Sequence, residues 1–251
     1  MDFLTQILAT KAEEVANMPE ERIRDSKPRP SFFHKVQQDT DRIHIIGEVK
    51  RASPSKGLIN QAVDCVAQAI AYQDAGVSAI SVLTDEQYFH GAIDDLRKVS
   101  QVVDIPLLCK DFIISQKQLV RAKNAGASIV LLIVAALSDL QLAALYADAN
   151  ALGLEVLVEV HNAEELQRAQ AIGAKIIGVN NRDLKTFQVS IDVSVDLAPK
   201  QTETIFISES GFRTKADVAR VTRDYHGILV GETLMRSGAI AATVKELQVA
   251  R

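Results

Sequence analysis

Short apolar runs rich in β-branched residues alternate along this chain with longer stretches whose apolar positions recur at helical spacing. The junctions share a signature. A helix-like stretch ends in Gly, and the next apolar run starts within about three residues, as a short connection with a glycine helix cap requires. Ala75-Gly76 leads into Val77 to Leu83, Ala125-Gly126 into Ile129 to Ile133, Leu152-Gly153 into Glu155 to Val160, and Ile172-Gly173 into Ile176 to Val179. Less regular versions predict strands at Ile43 to Lys50, Ile105 to Lys110, Thr204 to Ser208 and Gly227 to Val230. Strand and helix in such alternation imply right-handed βαβ units and a parallel sheet.

Two helices are readable in detail. Gln61 to Asp74 places Val63, Val66, Ala67 and Ile70 at helical spacing, and Ser138 to Leu152 places Leu142, Leu145 and Ala149 behind an N-cap Ser138. No Gly- or Pro-rich linker divides the chain after Ile43, which favours a closed (β/α)8 barrel over 43–251 rather than two doubly wound halves. In the first forty residues, Phe3, Leu4, Ile7, Leu8 and Val15 form an apolar stripe, and Pro28 and Pro30 stop any helix. The expectation is an α/β protein of one domain over 1–251, with a helical extension over 1–42 packed on the barrel.

Composition narrows the function. The 251 residues carry 28 Lys and Arg against 32 Asp and Glu, a net charge of −4, so no global positive field gathers nucleic acid or anionic membrane. The longest apolar run, Ile129 to Leu137, is far short of the ~18 residues of a spanning helix, and the N-terminus lacks a basic-then-apolar signal pattern. Cys65 and Cys109 form no CxxC, and a reducing cytoplasm is the expected location.

Reactive groups of such barrels sit at the carboxyl ends of the strands. In Ile46-Gly47-Glu48-Val49-Lys50, period-two alternation puts Glu48 and Lys50 on one face and Val49 on the other, so Glu48 and Lys50 point inward if Val49 packs on helices. The same counting places Lys110, Glu159, Asn180 and Glu209-Ser210 at one rim. Read singly, these charges are explained equally well as ion pairs, Glu48 with Lys50 or Lys110 and Glu159 with the other. As a set they need a further reason, because buried ions are costly and replaceable by apolar packing. An acid and base crew supplies one.

Ser210-Gly211 and Gly231-Glu232-Thr233 follow the seventh and eighth strands, where barrels commonly bind phosphate with backbone N–H groups and a short helix, here expected from Thr233. Glu232 must then turn its side chain away. The loop Arg51 to Gly57 is polar, basic and hinge-like, fit for a lid or simply for solvent. Phe89 and Phe112 offer a wall for a flat ligand or ordinary core packing. The histidines, His34, His44, His90, His161 and His226, show no metal-ligand spacing and read as surface or loop residues.

Seven stretches, in order, resemble those of the indole-3-glycerol phosphate synthases: Ile46 to Gly57, Thr84 to Gly91, Cys109 to Ile114, Val158 to Asn162, Gly178 to Phe187, Ser208 to Gly211 and Val230 to Arg236. The resemblance covers nearly the whole chain and implies a TIM barrel. It implies conversion of 1-(2-carboxyphenylamino)-1-deoxyribulose 5-phosphate into indole-3-glycerol phosphate, carbon dioxide and water, without metal or organic cofactor. By resemblance, Lys110 is the principal acid and Glu159 the partner in dehydration. Glu48 and Asn180 hold sugar hydroxyls and orient Lys110, while Lys50 and Arg182 clamp substrate anions, with Ser53 beside them. Ser210, Gly211, Gly231 and Glu232 take the phosphate, and the anthranilate ring lies among Pro54, Phe89, Leu108, Phe112, Leu131 and Leu184. Cys109 stands where many relatives carry Arg, and alternation places it on the outer face. The chain ends soon after the last expected helix, leaving no room for the isomerase domain fused to some relatives. A phosphorylated small molecule is the expected partner of a monomer, with other tryptophan-pathway enzymes as weak partners. The same barrel and lysines also suit a Schiff-base aldolase or a sugar-phosphate isomerase, and a non-catalytic phosphate binder is the alternative from outside enzymes.

Overall fold

A computed structural model describes residues 3–24, 27–53, 57–58, 63–198 and 203–251, with only the backbone described at Ser53 and Leu58. The apolar runs form parallel strands β1 (His44–Val49), β2 (Ala79–Leu83), β3 (Leu107–Lys110), β4 (Ile129–Ile133), β5 (Glu155–Val160), β6 (Ile176–Asn180), β7 (Ile205–Glu209) and β8 (Gly227–Val230). They close into a barrel in which β1 pairs with both β2 and β8, Ile46 opposite Ala79 and Gly47 opposite Val230. A two-residue antiparallel ladder, Ala52 and Ser53 against Leu58 and Gly57, follows β1.

Alternation along the strands sorts the core into two layers. Ile46, Leu108, Leu131, Leu157, Ile207 and Leu229 fill the barrel, while Ile45, Val49, Val82, Val130, Val158 and Val179 face the helices. Cys109 belongs to the outer layer, as its parity requires.

The helices are α1 (Phe3–Asn17), α2 (Phe32–Gln38), α3 (Cys65–Asp74), α4 (Ile93–Val102), α5 (Gln116–Asn124), α6 (Asp139–Ala151), α7 (Ala163–Ala171), α8 (Asp192–Asp196), α9 (Lys215–Ala219), α10 (Glu232–Met235) and α11 (Ile240–Leu247). Ser138 caps α6, which buries Leu142, Leu145 and Ala149 as its spacing predicts. The stripe expected on α3 is corrected: the buried face is Cys65, Ala69 and Tyr72, and Ile70 is exposed. The cause is tertiary. Tyr72 lies over Gly47, where a Cβ would come within 2.9 Å of its ring, and its hydroxyl donates to the Glu48 carbonyl at 3.2 Å.

The two N-terminal helices serve opposite ends of the barrel. Phe32 and Val36 of α2 join the inner layer, and Glu155 at the start of β5 accepts from the N–H groups of Phe32 and Phe33 at 3.0 and 3.2 Å. This carboxylate satisfies donors that a helix start leaves open. Helix α1 lies at the other end. Its Phe3 packs edge-on against Tyr88 and Phe187, with ring centroids 5.4 and 5.0 Å away, so α1 bridges the loops after β2 and β6.

Lys11 fixes α1 to the barrel. Its side chain is only 1% exposed, and its Nζ lies 2.8 Å from Asp85, 3.0 Å from Asp111 and 2.9 Å from Glu14. Burial opposes the charge most strongly, but Asp111 and Asp85 outweigh it and raise the ammonium above its ordinary value. Removing one partner of a buried ion set strands the others, at about 3–5 kcal/mol. Lys11→Met is therefore expected to lower the unfolding free energy by roughly that amount, read by urea titration. An unchanged midpoint would show that Asp85 and Asp111 do not depend on the helix.

Candidate active site

At the carboxyl end of the strands a cavity of 1190 Å³ opens, and the rim residues counted from the sequence converge on it. Lys110, ending β3, points its Nζ between two carboxylates, Glu159 Oε2 of β5 at 2.9 Å and Glu209 Oε2 of β7 at 2.7 Å. Beside them Lys50 Nζ meets Glu48 Oε1 at 2.6 Å. The pairing left open by the sequence is therefore resolved. Glu48 binds Lys50, and Lys110 binds Glu159 together with a third carboxylate that sequence reasoning placed at the rim without a role.

Room for that carboxylate comes from a missing side chain. Gly178 stands on the inner face of β6, and a Cβ there would lie 2.0 Å from Glu209 Oε1. Gly231 does the same for the neighbouring pair, since its Cβ would fall 2.5 Å from Glu48 Oε1 and 2.8 Å from Lys50 Nζ.

Electrostatics separates the two acids that flank Lys110. For Lys110 burial opposes the charge most, yet Glu159, Glu209 and Glu48 together outweigh it and push the ammonium above its ordinary value. Burial likewise opposes the charge of Glu159, but Lys110 and His161 hold this carboxyl well below the usual range. Glu209 goes the other way, with burial pushing it up to about 7 despite Lys110, helped by the negative charges of Glu159 and Glu48. The site thus holds an ammonium favoured by its neighbours and two carboxyls pulled in opposite directions, all within one ammonium's reach.

Asn180 Oδ1 accepts from the Arg182 N–H and from Ser210 Oγ, each at 3.0 Å, which leaves its amide NH₂ as the group it can offer a ligand. The guanidinium of Arg182 donates to the Phe187 carbonyl at 3.2 Å and lines the cavity. Ser210 and Gly211 both take left-handed backbone, φ 71 and 99°, after β7. Asn181 Nδ2 donates to the Ser210 carbonyl at 3.0 Å, fixing that turn. Across the cavity mouth α10 starts at Glu232, one residue earlier than expected, with Gly231 in the cap position. The Glu232 carboxylate pairs with Arg236 one turn on, at 3.1 Å.

Phe89 and Phe112 stand 6.1 Å apart and with Leu131 and Leu184 give the cavity an apolar side. Leu108 is fully buried in the inner layer with Ile46 and Ala79, one layer below the residues that line the cavity. Pro54 lies outside the described residues, and so does the side chain of Ser53. The apolar side is completed by Phe3, Leu4 and Ile7 of α1, which the sequence reading assigned only to packing.

The reading of the histidines is corrected at His44; His161 stands in the loop after β5, as expected, but faces the site. His44 is buried, 2.7 Å from Ser78 Oγ and from the Asp39 carbonyl, and serves the barrel's lower end. His161 is largely buried beside Glu159, where period two from Glu159 would have put it. Among the described residues no group of three or more His, Cys, Asp or Glu has the arrangement to hold a metal ion. No helix among them is long and apolar enough to cross a membrane.

Comparison with known proteins agrees with this geometry. The family model described as indole-3-glycerol phosphate synthase matches residues 4–247. The chain belongs to the indole-3-glycerol phosphate synthase family. It is 56% identical to the protein of that name from Listeria monocytogenes serotype 4b (strain CLIP80459) over 252 residues, all of both chains. The protein of that name from Streptococcus pneumoniae (strain CGSP14) is 50% identical over 249 residues, 99% of this chain and 98% of that one. Among solved structures the barrel is similar to 3-hexulose-6-phosphate synthase, with a TM-score of 0.65 at 17% identity over 82% of this chain and 98% of that one. An N-acetylmannosamine-6-phosphate 2-epimerase from Clostridium perfringens gives a TM-score of 0.63 at 12% identity, over 85% and 94%. At such identities these last two share the fold alone.

Proposed function

We propose that this chain carries out the reaction of its family, closing, decarboxylating and dehydrating 1-(2-carboxyphenylamino)-1-deoxyribulose 5-phosphate to indole-3-glycerol phosphate, and that it does so by acid and base chemistry centred on Lys110. The observation that carries the residue assignment is the Lys110 ammonium held between Glu159 and Glu209 on the cavity floor. Attack of the aniline ring carbon on the ketone builds negative charge on the carbonyl oxygen, and the Lys110 N–H is the donor for it. Loss of carbon dioxide then restores the ring's aromaticity. In the last step the hydroxyl leaves as water with a proton from Lys110, recharged from solvent, while a carboxylate accepts the proton that the ring system sheds. Glu159, held as an anion, suits that second role.

A raised ammonium is the wrong state for a Schiff-base nucleophile, which must be neutral to attack a carbonyl. The two carboxylates on the Lys110 ammonium favour its charged form and so weigh against an aldolase on the same barrel. A purely binding role leaves the three-carboxylate, two-lysine cluster without a reason.

The remaining roles follow position. Ser210 and Gly211 in their left-handed turn, with Gly231 and Glu232 at the start of α10, offer backbone N–H groups to the phosphate. Lys50 and Arg182 answer the substrate's anionic charge, and Glu48 and Asn180 its hydroxyls. Phe89, Phe112, Leu131 and Leu184 flank the aromatic ring, closed from above by Phe3 and Ile7. Ser53 and Pro54 keep a role by family likeness alone. The whole chain, 1–251, is read as one domain because α1 and α2 bury their anchors in the barrel ends. A monomeric cytoplasmic enzyme, touching other tryptophan-pathway enzymes weakly at most, completes the proposal. With Trp 0 the protein is dim where indoles emit, so substrate conversion is expected as a direct rise in emission. No rise with the wild-type chain would refute the assignment.

A further inference from the structure

His161 leaves β5 two residues after Glu159, on the same side of the strand, and its ring lies between two carboxylates, hydrogen-bonded to one of them through Nδ1. Nε2 lies 3.3 Å from Glu159 Oε1, the oxygen that does not bind Lys110, and Nδ1 lies 3.0 Å from Glu165 Oε2. Glu165 is itself fixed by the start of α7. Its N–H donates to the cap residue Asn162 at 2.9 Å, and its Oε1 accepts from Asn162 Nδ2 at 2.8 Å. Its Oε2 also accepts the backbone N–H of His161 at 2.8 Å. A row of alternating charge, Glu165, His161, Glu159, Lys110, Glu209, thus runs from the helix start to the cavity floor.

Asn162 caps α7, and residue 161 adds to the helix start only a backbone N–H on Glu165, which any residue but proline supplies. The imidazole is surplus to that cap, yet it is the part aimed at Glu159. We propose that His161, clamped by Glu165, is a positioning residue for the reaction, keeping a positive neighbour 3.3 Å from the far oxygen of Glu159 while Lys110 gives up its proton. This rests on the reading of Glu159 as acid–base partner. Once Lys110 has lost its proton, Glu159 and Glu209 lose their shared counter-ion, and a cation that does not take part in the chemistry keeps Glu159 ionised.

The charged groups facing the ring are Glu159 from β5 and Glu165 from α7, with Lys110 of β3 behind Glu159. Arg168, further along α7, is occupied by Asp139 at 2.6 Å and by the carbonyls of Val134 and Leu137. Burial opposes the charge on His161, but Glu159 and Glu165 outweigh it and push the ring up to about 10, so it is a cation throughout the neutral range.

The test is the pH profile of kcat/KM for wild type, His161→Gln, His161→Arg, Glu165→Gln and Glu159→Gln, with indole emission as readout. The acid limb reports the joint titration of Glu159 and Glu209. Removing an adjacent cation moves a carboxylate upward by roughly one pH unit or more, so the limb of His161→Gln is expected to rise by about that much, a tenfold loss on the limb. His161→Arg keeps the charge and is expected to restore the limb. Glu165→Gln removes the ring's outer anion, so its alkaline limb is expected to fall about a unit below that of the wild type. A His161→Gln profile superimposable on wild type, or equal unshifted losses in His161→Gln and His161→Arg, would overturn the inference alone. Full turnover by Glu159→Gln would instead remove the reading beneath it.

Discussion

Lys110→Ala is expected to lower kcat by about a thousandfold, within the 10²- to 10⁴-fold that a positioned general acid contributes. That loss corresponds to about 4 kcal/mol of transition-state stabilisation. KM is expected to change far less, because the phosphate cradle and the apolar wall lie on other loops and stay intact. The physical reason for the size is that nothing else on the cavity floor replaces the donor. Lys50 is already held by Glu48 at 2.6 Å, and Glu209, though poised near 7, loses the ammonium that lets it share the floor with Glu159. With Lys110 gone the two acids lose the ammonium between them, and the cation at His161 reaches only the far oxygen of Glu159. Steady-state rates by indole emission check this. A variant within tenfold of wild type would remove Lys110 from the chemistry.

Glu159→Gln is expected to cost about a hundredfold in kcat, less than the lysine because Glu209 remains 2.7 Å from Nζ. The amide keeps the shape and a hydrogen-bonding atom toward Lys110 but cannot accept the last proton. The loss should therefore fall on dehydration and spare decarboxylation. In a single turnover, carbon dioxide is expected to appear ahead of indole emission in Glu159→Gln and together with it in wild type. If both products slow equally in the variant, Glu159 acts earlier, at ring closure.

Alternation carried most of what the sequence could say about this site. Period two put Glu48 and Lys50 inside and Val49 and Cys109 outside, and the same counting brought Lys110, Glu159, Asn180 and Ser210 to one rim. It gives the face of a residue and not its depth. Leu108 shares the inner face with Lys110 but stands two residues lower, about 7 Å at strand rise, which removes it from the cavity. His161 obeys the same parity rule, but metal-ligand spacing does not single it out. What explains it, Glu165, lies on the next helix start.

Lys11 and α3 were illegible for a different reason. A lysine on a helix reads as solvated, and its burial depends on Asp85 and Asp111, which lie far along the chain and meet it only once the barrel closes. The inward face of α3 is set by Tyr72 finding the gap above Gly47, a contact that helical spacing does not encode. Both are tertiary facts. They also explain why α1 walls the cavity: the same Lys11 that anchors it sits on Asp111, the residue after Lys110.

Whether Lys110 acts as an acid or as a nucleophile can be read directly. Borohydride added during turnover, followed by intact-mass measurement, traps any imine between a lysine and the substrate's ketone. The expected result is continued formation of the indole product with no added mass on the protein. A reduced adduct mapped to Lys110 would contradict the acid role and return the site to aldolase-like chemistry.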